Sequence, residues 1–132
     1  ECQTILPTLS TDLFDVIISC CEGTLNQTSI DFLKSKSICV VLCSKGYPEK
    51  FENNIEIKNL EQLRLLQNQN VFHAGTSKTN TGFASNGGRV LNFISTSDDF
   101  LKCRNEAINL IKKLNWKNGY FRRDIGHKVI KT

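Results

Sequence analysis

The densest apolar block lies near the start of the chain. Seven of the nine positions 13–21 are apolar, all but Asp15 and Ser19. This block predicts a helix over 11–22. Ser10 or Thr11 caps it, Asp12 and Asp15 favour its positive end, and Gly23 stops it. A helix apolar nearly all round needs neighbours on both sides. Residues 24–36 are polar and irregular. Six continuous apolar positions follow at 38–43, rich in β-branched types, and predict a strand buried on both faces. Gly46 and Pro48 impose a turn after it. The alternation Ile55, Glu56, Ile57 reads as a short half-exposed strand, and Leu60, Leu63 and Leu66 as a helical turn or two.

Residues 70–74 read as another strand and 75–81 as a polar loop. Residues 83–85 should pair with 89–95 across Asn86-Gly87, a strong hairpin signal. A second helix is expected over 98–114, with Ser97 as its cap and Lys112 and Lys113 at its end. Phe100, Cys103, Ala107, Ile111 and Leu114 would form its buried stripe. Asn118-Gly119 marks a turn before the tail YFRRDIGHKVIKT. Strands in the middle and helices at the flanks give an α+β fold with a mostly antiparallel sheet.

Composition narrows the picture. The 132 residues suit one domain able to close its own core. No window approaches the ~18 apolar residues of a membrane span, and the first ten lack the basic start of a signal peptide. Methionine is absent even at position 1, so the chain is expected to be a piece of something longer. Cys39 and Cys43, four strand residues apart, would lie roughly 13 Å from each other, too far for a disulfide. No C-x-x-C occurs. The six cysteines are therefore expected to be buried, reduced thiols of a cytoplasmic protein, and metal binding is not expected.

The net charge of +4 is uneven: residues 112–132 hold seven Lys or Arg against Asp124 alone. No phosphate loop, dinucleotide fingerprint, nucleophile elbow or metal-spaced His/Glu set is present. Three segments keep binding potential. In Asn86-Gly87-Gly88-Arg89, successive glycine N–H groups can form an anion nest beside a planar cation; the plain alternative is a hairpin turn with a surface arginine. In Arg122-Arg123-Asp124-Ile125-Gly126, two guanidiniums can fork onto a phosphate, with Asp124 orienting one of them; the alternative is a solvated basic tail. His73, at a strand end, is either ligand-facing or structural.

Four segments, SKGYPEKF (44–51), VFHAGT (71–76), NGGRVL (86–91) and RRDIG (122–126), resemble, in this order, the C-terminal domain of the phosphoribosylamine–glycine ligases, also called glycinamide ribonucleotide synthetases. Glu1-Cys2-Gln3 followed by Ile5-Leu6-Pro7 resembles the place where that family's ATP-grasp domain ends. The resemblance implies that residues 1–10 close an ATP-grasp domain and that 11–132 form the C-terminal domain. It implies a parent that joins glycine to 5-phosphoribosylamine using ATP in purine biosynthesis, with Mg²⁺ and ATP held by the ATP-grasp core. This chain would then carry no catalytic residue, metal or cofactor, and would be inactive alone. Its partners would be the remaining ATP-grasp domains and phosphoribosylamine, not nucleic acid or membrane. By the same likeness Arg122, Arg123 and Gly126, with Asp124, form the ribose-phosphate site, and Asn86, Gly87, Gly88 and Arg89 adjoin it. Phe121 and Arg123 depart from the tyrosine and lysine often found there in the family.

Two other classes compete with this reading. A small basic nucleic-acid-binding module is suggested by the cationic tail with Trp116, Tyr120 and Phe121 nearby. A structural lid or interaction domain without ligand contacts is the other.

Overall fold

In a computed structural model describing residues 1–130, a short helix, α1 (Cys2–Ile5), precedes α2 (Leu13–Glu22). Lys131, the last cation of the basic tail, lies outside the described residues. The cap of α2 is Asp12, whose carboxylate accepts from the Phe14 N–H at 2.8 Å. Ser10 and Thr11, the expected caps, instead tie residues 10–11 to the 29–31 segment. Gly23 closes the helix at φ 70°. No residue of α2 is buried, and Phe14 and Ile17 are 67% and 50% exposed.

The apolar run at 38–43 sits inside β1 (Lys36–Ser44). Its burial alternates: Ile38, Val40, Leu42 and Ser44 are buried, whereas Cys39, Val41 and Cys43 are only half-buried. The expectation of two buried faces is therefore corrected. A long helix covers one face, whereas the other meets only the short N-terminal turn and stays half-buried.

The other strands are β2 (Gln69–His73), β3 (Thr76–Thr79), β4 (Gly82–Ser85) and β5 (Arg89–Ser97). After α3 (Phe100–Leu114) come β6 (Gly119–Tyr120) and a last turn of helix, α4 (His127–Ile130). The main sheet runs β2-β5-β1-β6, with every pair antiparallel. Val40 faces Phe93 and Leu42 faces Leu91 on the core side, while Val41 pairs with Asn92 on the other. Cys103, Ala107, Leu110, Ile111 and Leu114 of α3 cover the core side. The α+β class with an antiparallel sheet and flanking helices is the one expected.

Three local expectations fail. The cap of α3 is Asp99, which accepts from Leu101 and Lys102 N–H at 3.3 and 3.0 Å. Ser97 is spent as the last residue of β5, paired with Lys36. The hairpin across Asn86-Gly87 does not form either. β4 pairs with β3, drawn from the supposed loop, and its other edge is taken by residues 55–57. There Ser85 N–H donates to Ile55 O at 2.9 Å and Ile57 N–H to Phe83 O at 2.8 Å. With both edges filled, β4 has none left for β5, which pairs with β1 and β2. Residues 59–63 form hydrogen-bonded turns, not a helix.

All six cysteines are free, but only Cys103 is buried; Cys2, Cys20 and Cys21 are exposed. The expectation of uniformly buried thiols is corrected, because α2 and the N-terminal turn lie outside the core.

Candidate functional site

Tyr47 joins the motifs. The chain leaves β1 at Ser44, whose hydroxyl donates to Gly87 O at 2.9 Å and whose N–H donates to Gly88 O at 2.8 Å. These bonds hold the 45–48 turn against 86–89. The Tyr47 ring then lies on Gly88, where a Cβ would come within 2.1 Å of its Cδ2. Gly75 closes the third side, its N–H donating to Arg89 O at 2.8 Å. A Cβ there would meet that same oxygen at 2.7 Å. Both glycines are thus required by close approach.

Two adjoining clefts open on the sheet face away from α3. One, of about 760 Å³, is lined by Cys39, Val41, Tyr47, Gly88, Arg89 and Asn92, with Gln3 and Thr4 of the N-terminal turn at its rim. The other, of about 420 Å³, shares Cys39, Val41 and Tyr47 and adds Phe121, Arg122 and Ile125. Arg89 and Arg122 therefore border one continuous outer face, with Tyr47 between the two clefts. The fold brings residues of all four sequence motifs to this face.

The arginines differ in readiness. Arg89 is exposed and forms no ion pair among the described residues. Burial pushes the Cys43 thiol up, while the Arg89 charge pulls it the other way. The Gly87 and Gly88 N–H groups beside Arg89 donate to no acceptor among the described residues, whereas Asn86 N–H is spent on Gly75 O. Arg122 is gripped in a two-point fork by Asp124, Nε to Oδ1 at 3.1 Å and Nη2 to Oδ2 at 2.8 Å. This hydrogen bonding, with the Asp124 charge, raises the pKa of Arg122 and lowers that of Asp124. The Nη1 side of Arg122 takes no part in the fork.

The remaining candidates lie apart. Arg123 is exposed and borders neither cleft. Gly126 takes φ 76° in the turn before α4, and a Cβ there would come within 2.9 Å of Ile38 Cδ1. Its left-handed backbone explains the need for glycine. His73 bonds Thr76 Oγ1 at 2.8 Å through Nδ1, and its ring packs on Phe83 at 4.6 Å. It lies at a separate small cavity with Leu60 and Leu63.

Sequence reasoning missed Asn92 and the part played by Tyr47. Asn92 is buried in β5 and lines the larger cleft, with no side-chain hydrogen bond among the described residues. Its signal was present as one amide inside the apolar run RVLNFIS. No group of three His, Cys, Asp or Glu able to hold a metal occurs among the described residues. The described residues do not fit a Mg²⁺ site.

The family model described as phosphoribosylglycinamide synthetase, C domain, matches residues 37–128. The chain belongs to this family. It is 37% identical over 133 residues to the chloroplastic phosphoribosylamine–glycine ligase of Arabidopsis thaliana, covering 99% of this chain and 25% of the relative. It is also 37% identical over 127 residues to the phosphoribosylamine–glycine ligase of Fusobacterium nucleatum, covering 96% of this chain and 30% of the relative. A crystal structure of the ligase from Thermotoga maritima superposes with a TM-score of 0.63 at 25% identity, over 83% of this chain and 27% of that one. The chain thus spans between a quarter and a third of the length of these relatives. Three of the four motifs that meet at Tyr47, and Tyr47 itself, lie wholly inside the matched C domain; so does the fourth, which ends at Gly126. No helix among the described residues is long and apolar enough to cross a membrane.

Proposed function

We propose that this chain serves as the C-terminal domain of an ATP-dependent phosphoribosylamine–glycine ligase of purine biosynthesis. It supplies the ribose-phosphate side of the substrate cleft. The observation that carries this reading is the convergence of four family-like motifs on one sheet face, bordered by Arg89 and Arg122. Residues 1–10 close the ATP-grasp domain and 11–132 are the C-terminal domain in this reading. Glycine activation, with ATP and Mg²⁺, falls to the remaining domains, which are the partners of this chain. No residue here is a catalytic one.

The geometry supports the following roles. Arg122, oriented by Asp124, turns its free Nη1 side to the phosphate of phosphoribosylamine. Arg89 and the Gly87 and Gly88 N–H groups complete the anion site. Asn86 frames the nest, and Arg123 adds charge from outside. Gly126 shapes the turn that delivers Arg122. A cytoplasmic setting is supported by the six unpaired cysteines.

The test is steady-state kinetics of the ligase carrying this domain. Loss of one charge-assisted bond to a ligand weakens binding roughly ten- to a hundredfold. Arg122→Ala should raise KM for phosphoribosylamine by that factor and leave the constants for ATP and glycine nearly unchanged. An equal effect on ATP or glycine, or none at all, refutes the assignment.

A further inference from the structure

A second concave site lies on the other side of the turn that carries Tyr47. The pleat decides this. Cys39, Val41 and Cys43 of β1 face the clefts described above, while Ser44 points to the opposite, core side. Beyond Ser44, the turn after β1 meets the segment that leaves α3. Lys45, Lys50, Phe51, Glu52, Trp116 and Lys117 line an open cleft of about 670 Å³ there.

Its frame is held by hydrogen bonds. Lys45 N–H donates to Asn118 O at 2.8 Å, and the Trp116 indole N–H donates to Glu56 O at 3.0 Å. Three exposed lysines thus line one cleft, with Glu52 as the acidic member of the lining. The ion pairs among the described residues are Lys58 with Glu56 and Arg122 with Asp124. None of the three lysines is neutralised by such a pair.

We propose that this cleft binds a small phosphate-bearing ligand with a planar ring. The phosphate is met by Lys45, Lys50 and Lys117, and the ring lies against Trp116 and Phe51. Lysine meets phosphate as a compact point charge, and an indole wall favours a flat partner. The aromatic pair cannot serve a cationic ligand, because the excess lysine charge repels one. The volume falls within the roughly 300–1,000 Å³ of small-molecule sites and suits a mononucleotide. The inference is independent of the ligase reading, since none of these side chains belongs to the proposed ribose-phosphate site.

Trp116 is the single tryptophan of the chain, so its fluorescence reports this cleft. The chain is titrated with AMP, and separately with inorganic phosphate, at fixed ionic strength. AMP should change the emission saturably and bind more tightly than phosphate. Lys117→Gln and Lys50→Gln should each weaken AMP about tenfold, with an unchanged circular dichroism spectrum. Arg89→Gln, in the other site, should leave the affinity as it is. Absence of a saturable change overturns the proposal, as does indifference to both lysine variants. Equal affinity for phosphate and AMP overturns the ring contact. Weakening by Arg89→Gln to the same extent moves the binding to the other face and overturns the site.

Discussion

Gly88→Ala probes the contact on which the whole site is built. A Cβ at position 88 would stand 2.1 Å from Cδ2 and 2.5 Å from Cε2 of Tyr47. Carbon atoms pack at about 3.5–4.0 Å, so the ring must retreat by roughly 1.5 Å. Tyr47 is 37% exposed and has room to swing outward, which keeps the loss moderate. Overpacking typically costs about 1–3 kcal/mol, and the lower half of that range is expected here. For a domain of this size that lowers Tm by roughly 3–10 °C. Thermal unfolding followed by circular dichroism measures it. The decisive comparison is the double variant. In a Tyr47→Ala background the obstacle is gone, so Gly88→Ala should become nearly neutral, a coupling of about 1 kcal/mol or more. Because Tyr47 walls both clefts, Gly88→Ala should also raise KM for phosphoribosylamine in the ligase. If the penalty is the same with and without the Tyr47 ring, the ring does not occupy the space over Gly88 and the proposed convergence is wrong.

Two further outcomes are expected. The apolar face of α2, led by Phe14 and Ile17, should make the chain self-associate on its own. Phe14→Ser with Ile17→Ser should raise the monomer fraction in sedimentation velocity at little cost in Tm, whereas a wild-type chain that stays monomeric and silent to hydrophobic dyes would contradict this. The Arg122–Asp124 fork should be pH-sensitive in one direction. The Asp124 carboxyl is lowered from 3.8, first by its bond to Arg122, so its contribution is fully present above the unfolded value and is lost as pH falls through the lowered one. An NMR titration should place Asp124 below an ordinary aspartate and return it toward 3.8 in Arg122→Ala; an unshifted carboxyl in the wild type would show the fork absent in solution.

The parts of the fold legible in the sequence are those where one local rule governs. α3 is legible because a fifteen-residue helix with a single apolar stripe has one way to pack, and only its cap shifted, since Ser97 and Asp99 are both good caps and the strand claimed the first. The parts that misled are those where the local pattern serves the site. Asn86-Gly87 carries the composition of a tight hairpin, yet here the glycines let Tyr47 and Gly75 approach the backbone, and residues 55–57 take the edge a hairpin would need. The run at 38–43 read as a strand covered on both faces because every position is apolar. One face is indeed the core, but the other floors the two clefts with Cys39, Val41 and Cys43. A one-sided antiparallel sheet should show polar residues there. Apolar residues on that face, with a lone amide at Asn92 opposite Val41, are what a substrate-binding floor requires: a dry surface with a few placed polar groups. Under the proposed function, the excess hydrophobicity of β1 belongs to the floor of the site and not to a second buried face. Only the register with β5 separates the two readings, because it shows which half of the apolar run lies away from α3.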